Sequence, residues 1–218
     1  MTKKTNEHVI ILHGLGLYPW WMTRIVRTLN KEGYNVHNIG YPSRKKPIRE
    51  LTEEYLKPAI DSIPKEATHI HFIVHSLGSI LVRQYHALYT PPKLGRTVML
   101  GPPNKGSKVA DFLSNFGLFK CLFGPAGMEL VSTEESVPAH LGPLNFEAGV
   151  IAGTNYFLHP LTGPFIPKPN DGLVCLESTK IEGMKDHITI RIDHSLMVLS
   201  PKVIKQSLHF LKEGSFYK

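Results

Sequence analysis

The segment FIVHSLGS, residues 72–79, is an apolar run that stops at a histidine, a serine and a glycine. Its first half is a short, continuous apolar stretch, as a strand buried on both faces requires. LGSILVRQYHAL, residues 77–88, then continues at helical spacing, with Ile80, Leu81, Gln84 and Leu88 on one side. A serine therefore stands where a buried strand turns sharply into a helix. There its hydroxyl would project from the sheet edge. The N–H of Leu77 would open the helix and face developing negative charge. The competing explanation is an ordinary polar strand end, because a serine two residues before a glycine is a common pair. Gly78 and Ser79 are small, as the crowded turn demands, but Val74 stands where the usual pattern has glycine.

The same alternation extends in both directions. HVIILHG (8–14), NVHNIGYP (35–42), THIHFIVH (68–75) and GRTVMLGPP (95–103) read as strands, and GVIAGT (149–154) and HITIRI (187–192) add two more. Residues 18–34 carry Met22, Ile25, Val26 and Leu29 at helical spacing, with Pro19 at the start and Gly33 at the end. Residues 48–63 form a second helical pattern, with a kink or break expected at Pro58. Residues 200–214 form a closing helix, with Ser200 as cap, Pro201 in its first turn and Gly214 past its end. The pattern predicts an α/β fold: a mostly parallel sheet of about six strands with helices on both faces. Ligands of such sheets lie beyond the C-terminal strand ends, which is where Ser76 falls.

Composition narrows the classes. The chain has 218 residues, 42% hydrophobic and 20% charged, which suits one soluble globular domain over 1–218. No apolar run approaches the length of a membrane span. The start, MTKKTNEHVIILHG, reads as a first strand rather than a signal peptide, so the cytoplasm is the expected compartment. Cys121 and Cys175 are expected to be free thiols, and the twelve histidines show no zinc spacing. Net charge is +7 and the sequence pI about 9.3. That balance suits anionic lipid surfaces or nucleic acid. The basic residues are spread out except in SRKKPIR (43–49), and no nucleic-acid-binding motif is present. Peripheral contact with an anionic membrane stays open as an expectation, beside the simpler account of a solvated basic face.

A serine nucleophile needs a base, and the base an orienting acid. On this architecture the chain order is serine, acid, histidine. His194, in RIDHSLM, follows the last predicted strand. Asp171, in KPNDGLV, lies in a proline-rich loop before it. Asp-Gly pairs also build turns unaided, which is the alternative for Asp171. Glu177 and Asp193 are weaker rivals, since Asp193 adjoins His194 in an extended segment and would point the other way. HGLG (13–16) ends the first strand, and its glycines allow a backbone N–H to approach a bound carbonyl. Leu15 is the first choice for that oxyanion donor and Leu77 the second, against a plain glycine turn.

HGLG, VHSLGS, GPPNKGS, NDGLV and DHSLM, spread over residues 13–197, together resemble the α/β-hydrolase superfamily, and more closely its small bacterial lipase and esterase-like hydrolases. The resemblance implies Ser76 as nucleophile, His194 as general base and then acid, and Asp171 as its orienter. It implies hydrolysis of a carboxylic ester or lipid through an acyl-enzyme, with no metal and no other cofactor. A thioesterase or amidase with the same triad, or a non-catalytic binding protein on this fold, remains the alternative. Many members carry a cap. Here the expected cap is 104–149, with an apolar stripe of Val109, Phe112, Leu113, Phe116, Phe119 and Phe123. Phe116 and Phe119 are its pocket candidates, and a crossover helix packed on the core is the alternative. The sequence carries no signal for oligomeric state.

Overall fold

The computed structural model describes residues 5–90, 93–114 and 117–218; at 113–114 and 117–122 it describes the helical backbone without the side chains. Six strands form one sheet: β1 (Glu7–Leu12), β2 (Asn35–Ile39), β3 (His69–His75), β4 (Leu94–Leu100), β5 (Ala148–Gly153) and β6 (Asp186–Ile190). Their order is β2-β1-β3-β4-β5-β6, and every neighbouring pair is parallel. Helices fill the crossovers. They are α1 (Thr23–Lys31), α2 (Ile48–Leu51), α3 (Lys57–Asp61), α4 (Leu77–Leu88), α5 (Lys108–Ser114), α6 (Gly117–Met128), α7 (Val137–His140), α8 (Leu176–Thr179) and α9 (Pro201–Glu213).

Strand side chains alternate between two apolar layers. Ile10, Leu12, Phe72, Val74, Met99 and Val150 pack with residues of α2, α3 and α4. Val9, Ile11, Ile73, Val98, Leu100 and Ile151 pack with α1 and α9. Burial on both faces is why β1, β3, β4 and β5 carry short apolar runs, whereas the edge strands β2 and β6 are only half-buried and more polar. The break expected at Pro58 takes the form of a π turn, Thr52–Leu56, joining α2 to α3. Proline has no N–H and its ring collides with the carbonyl four residues back, so the wider turn places Pro58 in the first turn of α3 instead. Pro19 opens a 3-10 turn, Pro19–Met22, and α1 begins only at Thr23.

The chain leaves β1 toward β2 on one side, while β3 leads to β4 on the other. Crevices form at such a switch point, beyond the C-terminal strand ends. Here they are bounded by residues 13–16 and 75–77.

A buried cation ties α4 to the segment after β4. Arg83, 3% exposed, donates from Nη1 to the Asn104 carbonyl (3.0 Å) and Oδ1 (3.3 Å). Its Nη2 donates to the Pro138 (2.9 Å) and Gly142 (3.0 Å) carbonyls. Burial lowers its pKa to about 10, so it stays charged at neutral pH. Carbonyl dipoles from both ends of residues 104–142 take up that charge. The helix that follows Ser76 thus holds the α5–α7 segment at both ends.

Among the described residues no helix is long and apolar enough to cross a membrane. Cys175 is a buried free thiol. The side chain of Cys121 lies outside the described residues, as do Phe116 and the side chain of Phe119.

Candidate active site

The reversal from β3 to α4 happens at one residue. Ser76 sits at φ 51°, ψ −118°, a conformation that L-residues rarely adopt. Holding it costs about 1–3 kcal/mol. Its N–H donates to the Leu100 carbonyl and its carbonyl accepts from the Ser79 N–H, both at 2.9 Å. Val74 is fully buried in the core. Space for the turn comes from Gly78, where a Cβ would stand 2.8 Å from Leu12 Cβ and 3.0 Å from the Leu12 carbonyl oxygen.

His194 starts a 3-10 turn, His194–Leu199, just after β6. Asp171 lies in the loop before α8, fully buried. His194 Nδ1 is 2.7 Å from Asp171 Oδ2, and the His194 N–H donates to the Asp171 carbonyl at 3.0 Å. Asp171 Oδ1 accepts from the N–H groups of Leu173 (3.1 Å) and Val174 (2.7 Å). The two accounts of Asp171 are therefore compatible: one oxygen builds the Asp-Gly turn and the other meets the imidazole. A carboxylate only accepts, so Nδ1 carries the ring proton and Nε2 keeps a lone pair. The pair also needs Gly101, at φ 55°: a Cβ there would lie 3.0 Å from His194 Nδ1 and 3.1 Å from Asp171 Oδ2.

His75, to which the sequence pointed only as the residue before the serine, braces this pair. Its Nε2 lies 3.1 Å from the His194 carbonyl, and the two rings are 4.7 Å apart. Burial, then the nearby His194, holds its pKa well below 6.5. The neutral ring donates from Nε2 and fixes the backbone of His194.

Ser76 and His194 line one cleft of about 670 Å³. Leu15 and Leu17 border it after β1, and Val109, Phe123 and Leu130 border it from the segment after β4. Leu77 is the first residue of α4, where N–H groups lack helical acceptors. In the turn after β1, Gly16 N–H donates to Ser43 Oγ (2.9 Å) and Leu17 N–H to the Gly14 carbonyl (3.2 Å). Among the described residues, neither the Leu15 nor the Leu77 N–H donates to an acceptor.

The rival acids face elsewhere. Glu177 is exposed on α8 and pairs with Lys180 at 2.6 Å. Asp193 contacts His159 at 3.1 Å and caps the 3-10 turn through the Ser195 N–H at 3.1 Å.

At the opposite sheet edge, β1–β3 pairing brings Glu7, His69 and His71 within metal-ligating reach, which linear spacing did not reveal. His71 Nδ1 accepts the Arg96 N–H at 2.9 Å, so its neutral ring carries the proton on Nε2, the atom facing Glu7. That tautomer opposes ligation through Nε2.

No protein-family model and no curated protein matches this sequence. Solved structures do match in shape. The mature form of the Bacillus licheniformis lipase BlEst2 has a TM-score of 0.68 at 18% identity, over 96% of this chain and 91% of that one. The metagenomic carboxyl esterase MGS0156 gives 0.70 at 17%, over 89% and 66%. Phospholipase PlaB from Legionella pneumophila gives 0.66 at 17%, over 80% and 45%. At these identities the likeness is one of fold, and the chain has the α/β-hydrolase fold.

Proposed function

We propose that the protein is a serine hydrolase of lipase or esterase type that cleaves carboxylic esters through an acyl-enzyme on Ser76. The observation that carries this is a strained serine and a histidine paired to a buried carboxylate lining one cleft. His194 Nε2 takes the proton of Ser76 Oγ as Oγ attacks the ester carbonyl carbon. The oxyanion is received by the Leu15 and Leu77 N–H groups. The C–O bond to the alcohol breaks, and His194 returns the proton to the leaving oxygen. Water then attacks the acyl-enzyme, with His194 as base, and the acid leaves Ser76 regenerated. Asp171 stays ionised throughout and stabilises the imidazolium. The lipase and esterase neighbours support the ester class. Net charge +7 and the exposed Phe157, Leu161 and Phe165 after β5 support contact with anionic lipid.

Labelling tests the nucleophile. A fluorophosphonate should leave one adduct on the peptide carrying Ser76, located by mass spectrometry. An unlabelled protein, or an adduct on another serine, overturns the assignment.

In this proposal residues 104–149 cover the site and shape an acyl pocket. Support comes from Val109, Phe123 and Leu130, which face the cleft. Burying a Phe side chain against an acyl chain is worth about 1.5–3 kcal/mol. Phe123→Ala should therefore lower kcat/KM for decanoyl esters at least about tenfold more than for acetyl esters. An equal loss for both, with a large drop in Tm, would assign Phe123 to the core instead.

A further inference from the structure

A second hydrogen-bonded array lies beside the first. Ser195, the neighbour of His194, lines the same cleft. Its Oγ is 3.5 Å from His159 Nε2, at the outer limit of a hydrogen bond. His159 Nδ1 is 3.1 Å from the Asp193 carboxylate. Asp193 is itself buried and held by the N–H groups of Leu158 (2.9 Å) and Ser195 (3.1 Å).

The donors and acceptors in this array have a fixed direction. The carboxylate only accepts, so the proton of a neutral His159 ring sits on Nδ1. Nε2 is then an acceptor and takes the Ser195 O–H. The hydroxyl proton is thereby turned away from the cleft, and the Ser195 oxygen presents lone pairs to it. Around it the cleft is largely apolar, with Leu15, Leu17, Val109 and Phe123 on its walls. Its other hydroxyls and rings have tasks: Ser107 Oγ donates to the Leu173 carbonyl at 2.9 Å, and His75 holds His194. An acceptor on an apolar wall selects for a ligand that brings a donor, because a donor buried without a partner is penalised.

We propose that Ser195, set by His159 and Asp193, is a binding subsite for a free hydroxyl on the alcohol part of the substrate, so that the protein prefers esters of polyols over simple alkyl esters. The alcohol side is assigned because Ser195 directly follows His194, the group that would protonate the leaving oxygen; that placement rests on the ester-hydrolase proposal. Ser195 is not a second nucleophile in this account, since the hydrolase proposal assigns the oxyanion donors Leu15 and Leu77 to Ser76.

Binding tests the subsite without turnover. The probes are 1-O-decylglycerol and its di-O-methyl ether, titrated calorimetrically at pH 8 into the intact protein. The free diol should bind roughly three- to tenfold more tightly. Ser195→Ala should bring that ratio close to one, His159→Phe should reduce it, and Ser195→Thr, which keeps a hydroxyl, should restore it. Equal affinity for both probes in the wild type overturns the proposal. So does a ratio undiminished in folded Ser195→Ala, or no measurable binding of either probe. A wild-type protein that shows the ratio but hydrolyses no decanoyl ester supports Ser195 as a hydroxyl-binding subsite and removes the hydrolase proposal, with the alcohol-side placement that rests on it.

Discussion

Ser76→Ala should lose ester hydrolysis on the order of 10⁴-fold or more, and Ser76→Gly should lose it equally while melting higher than the wild type. Turnover falls because Oγ is the atom that would carry the acyl group. Stability separates the two variants because of the backbone. At φ 51° any side chain is crowded, and the strain of about 1–3 kcal/mol stays as long as a Cβ is present. Alanine keeps the Cβ, so its Tm should match that of the wild type. Glycine adopts positive φ without penalty but gives the unfolded chain more freedom, at about 0.5–1 kcal/mol. The net gain of about 1 kcal/mol corresponds to roughly 2–4 °C in a chain of this size. Thermal melts and initial rates on one decanoyl ester are the measurements. A glycine variant that melts below the wild type would show that the turn is not strained, and an alanine variant with a tenth of the activity would remove Ser76 from the chemistry. Within the same assay, Asp171→Asn should cost about 10⁴-fold by setting the wrong imidazole tautomer. Glu177→Gln should cost little, because that carboxylate pairs with Lys180 at the surface.

The second large effect is loss of stability in mild acid. Burial, helped by the charges of His69 and Arg96, lowers His71 from 6.5 to about 4. Burial alone lowers His86 to about 4. His13 and His75 shift the same way, with burial again the largest cause. In the unfolded chain these rings titrate at the ordinary 6.5. Below that pH the unfolded state binds protons that the folded state refuses, so stability falls as pH falls. The slope is about 1.4 kcal/mol per pH unit for each histidine, from 6.5 down to the folded value. His71 and His86 together therefore remove about 3 kcal/mol between pH 6.5 and 5.0, against a typical total of 5–15 kcal/mol. Denaturant melts at pH 7.5, 6.5, 5.5 and 5.0 should show this decline. His86 stacks on Phe146 at 4.0 Å, and among the described residues its Nε2 has no partner, so His86→Phe keeps the packing and removes the proton site. That variant should lose stability less steeply below pH 6.5, by about 1.4 kcal/mol per unit. A wild-type stability that is flat from pH 7.5 to 5.0 would contradict the assignment.

Several features were legible because their cause is local. The central strands were visible as short apolar runs, since a parallel sheet covered on both faces buries most of their side chains. The closing helix was readable from its ends, and in the structure Ser200 caps it while Gly214, at φ 74°, follows it. Other features were half legible. Pro58 announced a break, but not that a π turn would absorb it. Val74 in the place of glycine cast doubt on the turn, and only the approach of Leu12 to Gly78 shows where the room comes from. Arg83 carried no signal at all, because three of its four acceptors are backbone carbonyls, at residues 104, 138 and 142, and every residue type has a carbonyl.

By itself the sequence determined the alternation of strands and helices, the parallel class of the sheet, and Ser76, Asp171 and His194 as loop or turn residues near strand ends. Those follow from hydrophobic period and turn chemistry, which act over a few residues. Only the tertiary structure decided that β1 lies beside β3, that one Asp171 oxygen builds a turn while the other meets His194, and that His159, Asp193 and Ser195 form a second array that reaches the same cleft through Ser195. Periodicity reports which face of an element is buried, but not against what. Partners far apart in the chain are set by strand order, register and crossover, which no local pattern encodes.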